Sequence, residues 1–186
     1  MTLYPKEVEI KGSKYSINTD FKTALRCFEV IEDDSICDEE RALAVLYLLF
    51  GFIPNENAEL FLKAASIYLM CGEEAQDVDG ERDMDLILDT KYIIPSFRSD
   101  YGIDLEKADM HYWEYMRLIQ GLTPGCVLSR VRDIRNYDTS EISDARLKNK
   151  IIDAQRAVSL PPRYTKEEKE MIAKWNKLFG DDADGS

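Results

Sequence analysis

"SDYGIDLEKADMHYWEYM", residues 99–116, decides how the chain is read. It holds the one histidine of 186 residues, one of two tryptophans and three of ten tyrosines, with Asp104 and Asp109 close by. Such a concentration is either a catalytic or metal site or the densest part of a hydrophobic core. Gly102 ends a preceding helix, Ile103 and Leu105 pin a turn, and Asp109 is placed to cap a helix over "MHYWEYMRLIQGL". On that helix Glu114, Arg117 and Gly121 form the polar face, while His111 lies in line with Tyr115, Leu118 and Leu122. A general base needs an orienting acid and a nucleophile or water beside it. No G-x-S-x-G or similar nucleophile motif occurs in the chain, and one histidine with four scattered cysteines does not build a typical zinc site. The stretch therefore reads as a rigid helix-turn-helix corner, with His111, Trp113 and Met116 entering the core.

Outward from this corner the pattern is mainly helical. "EVEIKGSKYSIN" (7–18) alternates Val8/Ile10 and Tyr15/Ile17 around Lys11-Gly12-Ser13, which predicts a short hairpin. "DFKTALRCFEVIEDD" places Phe21, Leu25, Phe28 and Ile31 on one helical stripe, with Thr19 or Asp20 as cap. "DEERALAVLYLLFGF", from Asp38, and "NAELFLKAASIYLMCG", closed by Gly72, are apolar almost all round, which predicts a central position for both. A further helix runs through "LILDTKYIIPSFRSDYG", where Pro95 marks a kink or the true start. Val127, Val131 and Ile134 form a stripe in "CVLSRVRDIRNY", and Leu147, Ile151 and Val158 form another after Ser143. Pro161-Pro162 then breaks the chain before a last amphipathic helix that begins at Thr165 with a Glu168 capping box. The expected architecture is a mainly α, compact helical domain over 1–160 with an N-terminal β-hairpin. A C-terminal amphipathic helix and acidic tail follow over 161–186.

Charge narrows the partners. With 36 acidic against 24 basic residues, the net charge is −12, and such a surface repels phosphate backbones and anionic membranes. The apolar runs 42–53 and 60–70 are shorter than the ~20 residues a bilayer-spanning helix needs. The segment "MTLYPKEVEIKG" lacks the apolar core of a signal peptide, so a cytosolic location is expected. Cys27, Cys37, Cys71 and Cys126 contain no C-x-x-C pair and read as free thiols.

Two features point to binding. Arg130, Arg132 and Arg135 crowd one short helix of an acidic chain. They either pair with the protein's own carboxylates or form a basic patch that docks an acidic neighbour, which would favour self-association. In "TKEEKEMIAKWNKLF", Met171, Ile172, Trp175, Leu178 and Phe179 form an apolar stripe. A helix this short is marginal alone, so the stripe packs on its own domain, on another subunit or in a partner's groove. The acidic loop "DVDGERDMD" fails the ligand spacing of a calcium loop. It reads as a solvated connector in which Asp83 or Asp85 caps the next helix.

"IIPSFRSDYGIDL", "MHYWEYMRLIQGL" and "VRDIRNYD" together resemble the Gp-fifteen family of bacteriophage proteins, as does "YSINTDFKTALRCFEVIED". The residues carrying the likeness are Phe97, Asp100, Tyr101, Gly102, Ile103, Asp104, Leu105, His111, Tyr112, Trp113, Ile134 and Arg135. Tyr112 stands where the family often has a tryptophan, and the likeness spans about residues 8–140. The resemblance implies a tail assembly chaperone of the host bacterial cytoplasm. Such a protein binds the tape-measure protein, keeps it soluble and assists tube assembly, without cofactor or catalysis. Self-association and contact with the tail tube protein are further implied partners. The alternatives are a structural minor tail component retained in the particle, or a small hydrolase using carboxylates near Asp104 and Asp109.

Overall fold

Lys11 and Gly12 adopt left-handed backbone, with φ of 50° and 77°, the geometry that closes a two-residue hairpin. They join β1 (Glu7–Ile10) to β2 (Ser13–Ser16), antiparallel, with Val8 opposite Tyr15 and Ile10 opposite Ser13. The computed structural model describes residues 4–73, 82–162 and Met171. After the hairpin come α1 (Phe21–Glu32), α2 (Asp38–Phe50), α3 (Ala58–Leu69), α4 (Thr90–Tyr101), α5 (Tyr112–Gln120), α6 (Val127–Asn136) and α7 (Ala145–Val158). The expected class, mainly helical with an N-terminal hairpin, is the one observed. The expected C-terminal helix, its capping box and the loop before Arg82 lie outside the described residues, Met171 excepted.

Asp20 caps α1, its carboxylate accepting from the Lys22 amide. The buried face of α1 is rotated from the expected stripe. Phe21, Ala24 and Cys27 are buried, Leu25 and Phe28 are half-buried, and Ile31 is exposed. Small residues at 24 and 27 let α1 lie close against its neighbours α2 and α5. Phe21, Tyr115 and Phe97 then stack in series, with ring centroids 4.8 Å and 5.4 Å apart. The hairpin covers one end of this core, the Tyr15 ring meeting Phe61 edge-on at 4.8 Å.

Three details differ from the sequence reading. α4 starts at Thr90, after a turn over 86–89, and contains Pro95 within it. Pro95 removes the donor for the Lys91 carbonyl; at the next step the Ser96 hydroxyl donates to the Tyr92 carbonyl at 2.7 Å. The stripe of α7 is at best half-buried, and Leu147 is exposed. Most consequential, α2 and α3 are not central. They pack on α1, on each other and on β1, and leave Leu43, Tyr47, Leu60, Ile67 and Met70 exposed. Their all-round apolar composition is surface as well as core.

The Cys27 thiol is fully buried, and burial pushes its pKa from 9.0 up to about 12. Burial raises the Tyr112 and Tyr115 hydroxyls as well. A raised folded-state pKa contributes stability that is complete below the unfolded pKa and is lost as pH climbs through the folded one. The urea midpoint should therefore hold up to about pH 9 and fall between roughly 9 and 12. Cys27→Ala should flatten the early part of that fall. A midpoint unchanged up to pH 11 would contradict the burial argument.

Candidate functional site

The corner at 97–113 is built to hold two helices by their ends. Phe97 is fully buried, and Gly102, at φ 69°, closes α4 by donating to the carbonyls of Phe97 and Arg98. The Tyr101 hydroxyl donates to the Leu118 carbonyl at 2.9 Å. Asp104 accepts from the Glu106 amide and pairs with Arg98 at 3.2 Å and Lys107 at 3.4 Å. One of the acids named for a hydrolase thus has a structural use.

His111 is the N-cap of α5, a position the sequence reading gave to Asp109. Its Nδ1 accepts from the Trp113 amide at 3.0 Å, so its Nε2, 2.9 Å from the Pro5 carbonyl, carries the proton and donates. Being the cap, it stands outside the helical face it was placed on, and it is half-buried. The Tyr4 ring stacks on it at 5.1 Å. The fully buried face of α5 is Tyr112, Tyr115 and Ile119, while Trp113 and Met116 are half-buried against the core. The Trp113 Nε1 donates to the Tyr68 carbonyl and the Tyr112 hydroxyl to the Leu69 carbonyl, both at 2.9 Å. These are carbonyls of the last turn of α3.

The three arginines of α6 have separate fates. Arg135 makes a two-pronged contact with Asp89, both bonds 2.7 Å, and also donates to the Val158 and Asp83 carbonyls. Its side chain is 8% exposed and that of Asp89 1%; the Asp89 hydrogen bonds hold the guanidinium pKa above its ordinary value. Arg132 pairs with Asp83 at 2.7 Å and is partly exposed. Arg130 faces solvent. Asp83 belongs to a segment expected to be a solvated connector, while Asp89 stands in the helix expected after it. Asp85 accepts from the Ile87 and Leu88 amides and so caps the turn over 86–89. The next helix begins at Thr90, with Asp89 at its N-cap position in place of the expected Asp83 or Asp85. However, Asp85 and Asp89 are both buried, and Asp85 pairs with Arg82. Burial is possible because each carboxylate has a guanidinium beside it. Among the described residues no cluster of three or more His, Cys, Asp or Glu could hold a metal ion.

What the sequence reading missed is a groove. Phe28 and Ile31 of α1, Val45 of α2, Leu62 and Leu69 of α3, and Leu86 wall an open cavity of about 740 Å³. Its lining is mostly apolar, with Arg41, Arg82, Asp38 and Asp85 at its edges. Ile31 and Met70, which also line it, are 43% and 41% exposed. The signal was present in the all-round apolar character of α2 and α3, which fits a binding face as well as a central position. Of the C-terminal stripe, Ile172, Trp175, Leu178 and Phe179 lie outside the described residues. Met171 is helical and 60% exposed.

Residues 2–177 match the family described as Bacteriophage Gp15 protein. The chain belongs to that family. The match runs beyond residue 140 and takes in the Pro-Pro break and most of the C-terminal stripe. Nothing among curated proteins or solved structures matches the chain. Within this Gp15 protein, motif residues Tyr101, Tyr112 and Trp113 tie α4 to α5 and α5 to α3, while Arg135 ties α6 to Asp89.

Two stability effects follow. Removing one partner of the buried Arg135–Asp89 pair leaves an uncompensated charge, so Arg135→Met or Asp89→Leu alone should lower stability by about 3–5 kcal/mol. The double variant should lose clearly less than the two effects added, measured by urea unfolding. His111→Ala removes a cap and a backbone tether and should destabilise by ~2 kcal/mol. His111→Asn, which can still cap, should recover part of that loss; equal losses would mean that capping contributes nothing.

Proposed function

We propose that this Gp15 protein is a non-enzymatic tail assembly chaperone that binds the tape-measure protein, keeps it soluble and assists tail tube assembly. The observation that carries this reading is the apolar groove between α1, α2, α3 and residues 82–87, open on an acidic chain. A groove of this kind suits an amphipathic or apolar helix, which lays its side chains at i, i+3, i+4 and i+7 into it. The surrounding negative charge keeps a subunit carrying such a client apart from others of its kind. No helix among the described residues is long and apolar enough to cross a membrane.

Co-expression with a tape-measure fragment tests the reading. The fragment should become soluble and elute with the protein on a sizing column. Ile31→Glu with Met70→Glu places two charges in the groove at partly exposed positions, where substitution shifts stability by only about 0.5 kcal/mol. That variant should keep its fold by circular dichroism and lose the client by at least tenfold. Retained binding would move the client site off the groove. Mass spectrometry of purified particles separates a chaperone, absent or scarce there, from a structural minor tail component, present in stoichiometric copies.

A further inference from the structure

Two parts of the fold carry exposed apolar side chains beside charges of opposite sign. On α2, Leu43 and Tyr47 are 41% and 62% exposed; on α3, Leu60 and Ile67 are 38% and 48% exposed. Spaced at i, i+4 and i, i+7, each pair lies on one helical face, and the two helices pack on each other. Residues 38–69 hold five acidic and two basic side chains. Glu56 and Glu59, just before Leu60, are exposed and have no ion-pair partner among the described residues. Exposed apolar groups on neighbouring helices, rimmed by charge, mark a protein contact surface.

α7 carries the reverse pattern. It holds Arg146, Lys148, Lys150 and Arg156 against the single acid Asp153, and buries no residue fully. Leu147 is 49% exposed, and Ile151, one turn further on, is half-buried. Arg146 and Lys150 are exposed near them and pair with no carboxylate among the described residues. The main packing partner of α7 is α6, whereas α2 and α3 pack on α1, β1 and each other. Like faces repel: α2 and α3 against their own copy would set acid on acid, and α7 against its own copy cation on cation. Unlike faces attract, so charge selects the pairing of α7 with α2 and α3.

We propose that the first two turns of α7 in one copy of this chain lie on the outer face of α2 and α3 in a second copy. The apolar edge of α7 covers the exposed side chains of the two helices, and Arg146 and Lys150 stand beside Glu56 and Glu59. The two halves of the contact are different surfaces of one chain, so the association is head-to-tail and closes into a ring or extends as a filament. None of Leu43, Tyr47, Leu60 and Ile67 lines the groove. The contact is therefore separate from the surface assigned to the client and needs no client to form.

The test uses full-length protein with no client present. Light scattering on a sizing column should show a mass that rises with concentration and falls as salt is added. Arg146→Glu with Lys150→Glu, or Glu56→Lys with Glu59→Lys, sets like charges together and should weaken association by about tenfold or more. Both pairs of changes in one chain restore unlike charges and should recover most of the loss. All variants should keep the wild-type circular dichroism spectrum, because the four side chains are exposed. Hydrogen exchange on wild type gives an independent readout: amides over 43–47, 60–67 and 146–151 should gain protection together as concentration rises. The proposal is overturned if wild-type protein remains a single chain at millimolar concentration, or if either pair of changes leaves association as it was. It is equally overturned if the fourfold variant associates no better than the twofold ones, or if only one of the two faces gains protection. None of these outcomes depends on the tape-measure protein, so the chaperone reading stands or falls separately.

Discussion

The last turn of a helix leaves carbonyls that need donors, and in this fold two donors to those of α3 come from a different helix. Tyr112 and Trp113, the first two residues of α5, donate to the Leu69 and Tyr68 carbonyls. The amide of the second of them is itself held by the His111 cap, whose other ring nitrogen donates to Pro5. One short run of sequence thus ties the N-terminal segment, the end of α3 and the start of α5 to one another. Each tie satisfies a backbone group, so geometry and not hydrophobicity alone fixes how these elements meet. Gly72 belongs to the same constraint. A Cβ there would meet the Trp113 ring at 3.1 Å, and its backbone is left-handed at φ 84°, so glycine serves both the turn and the close approach.

The second half of the molecule is organised by charge in an unusual place. Arg135 gathers Asp89, the Asp83 carbonyl and the Val158 carbonyl around one guanidinium, joining the segment before α4 to α6 and to the end of α7. A planar donor fork reaches several acceptors at once, which lysine could not do. Because α7 buries no residue fully, its position relies on such polar ties. Gln155 adds another, donating to the Tyr137 carbonyl at 2.8 Å. The arginine-rich helix is in this respect largely an internal part, with Arg130 the member left facing solvent.

Much of this was legible in the sequence because it follows from local rules. The hairpin showed in the alternation around Lys11-Gly12, α1 in its Asp20 cap, and α3 and α4 in the glycines that end them. The corner was read as structural, and its histidine does cap α5 and tie it to Pro5. Its details were not legible. Asp109 and His111 are both able to cap, and the choice depends on Pro5, more than a hundred residues away in sequence. The burial of Asp85 was likewise hidden, because an acidic run reads as solvated until the arginine that neutralises it is placed beside it. The rotation of α1 by one position, from Leu25 and Phe28 to Ala24 and Cys27, reflects helix approach distances that no single-helix pattern contains.

The groove joins these two halves. One wall is α1 and the face of α2 and α3 turned toward it; the other is the stretch 82–87, which contributes Met84 and Leu86. That stretch has no regular helix or strand of its own. It is held by Asp85, which accepts from the Ile87 and Leu88 amides and pairs with Arg82, and whose amide donates to Asp89 at 2.9 Å. Asp89 is in turn fixed by Arg135. The apolar wall of a candidate binding surface therefore rests on a buried ionic network anchored in α6. Hydrophobic groups on an irregular segment hold a shape only if the backbone beneath them is pinned, and here carboxylates and guanidinium groups do the pinning. Arg82 and Arg135 thus bear on the shape of the groove through the carboxylates they hold.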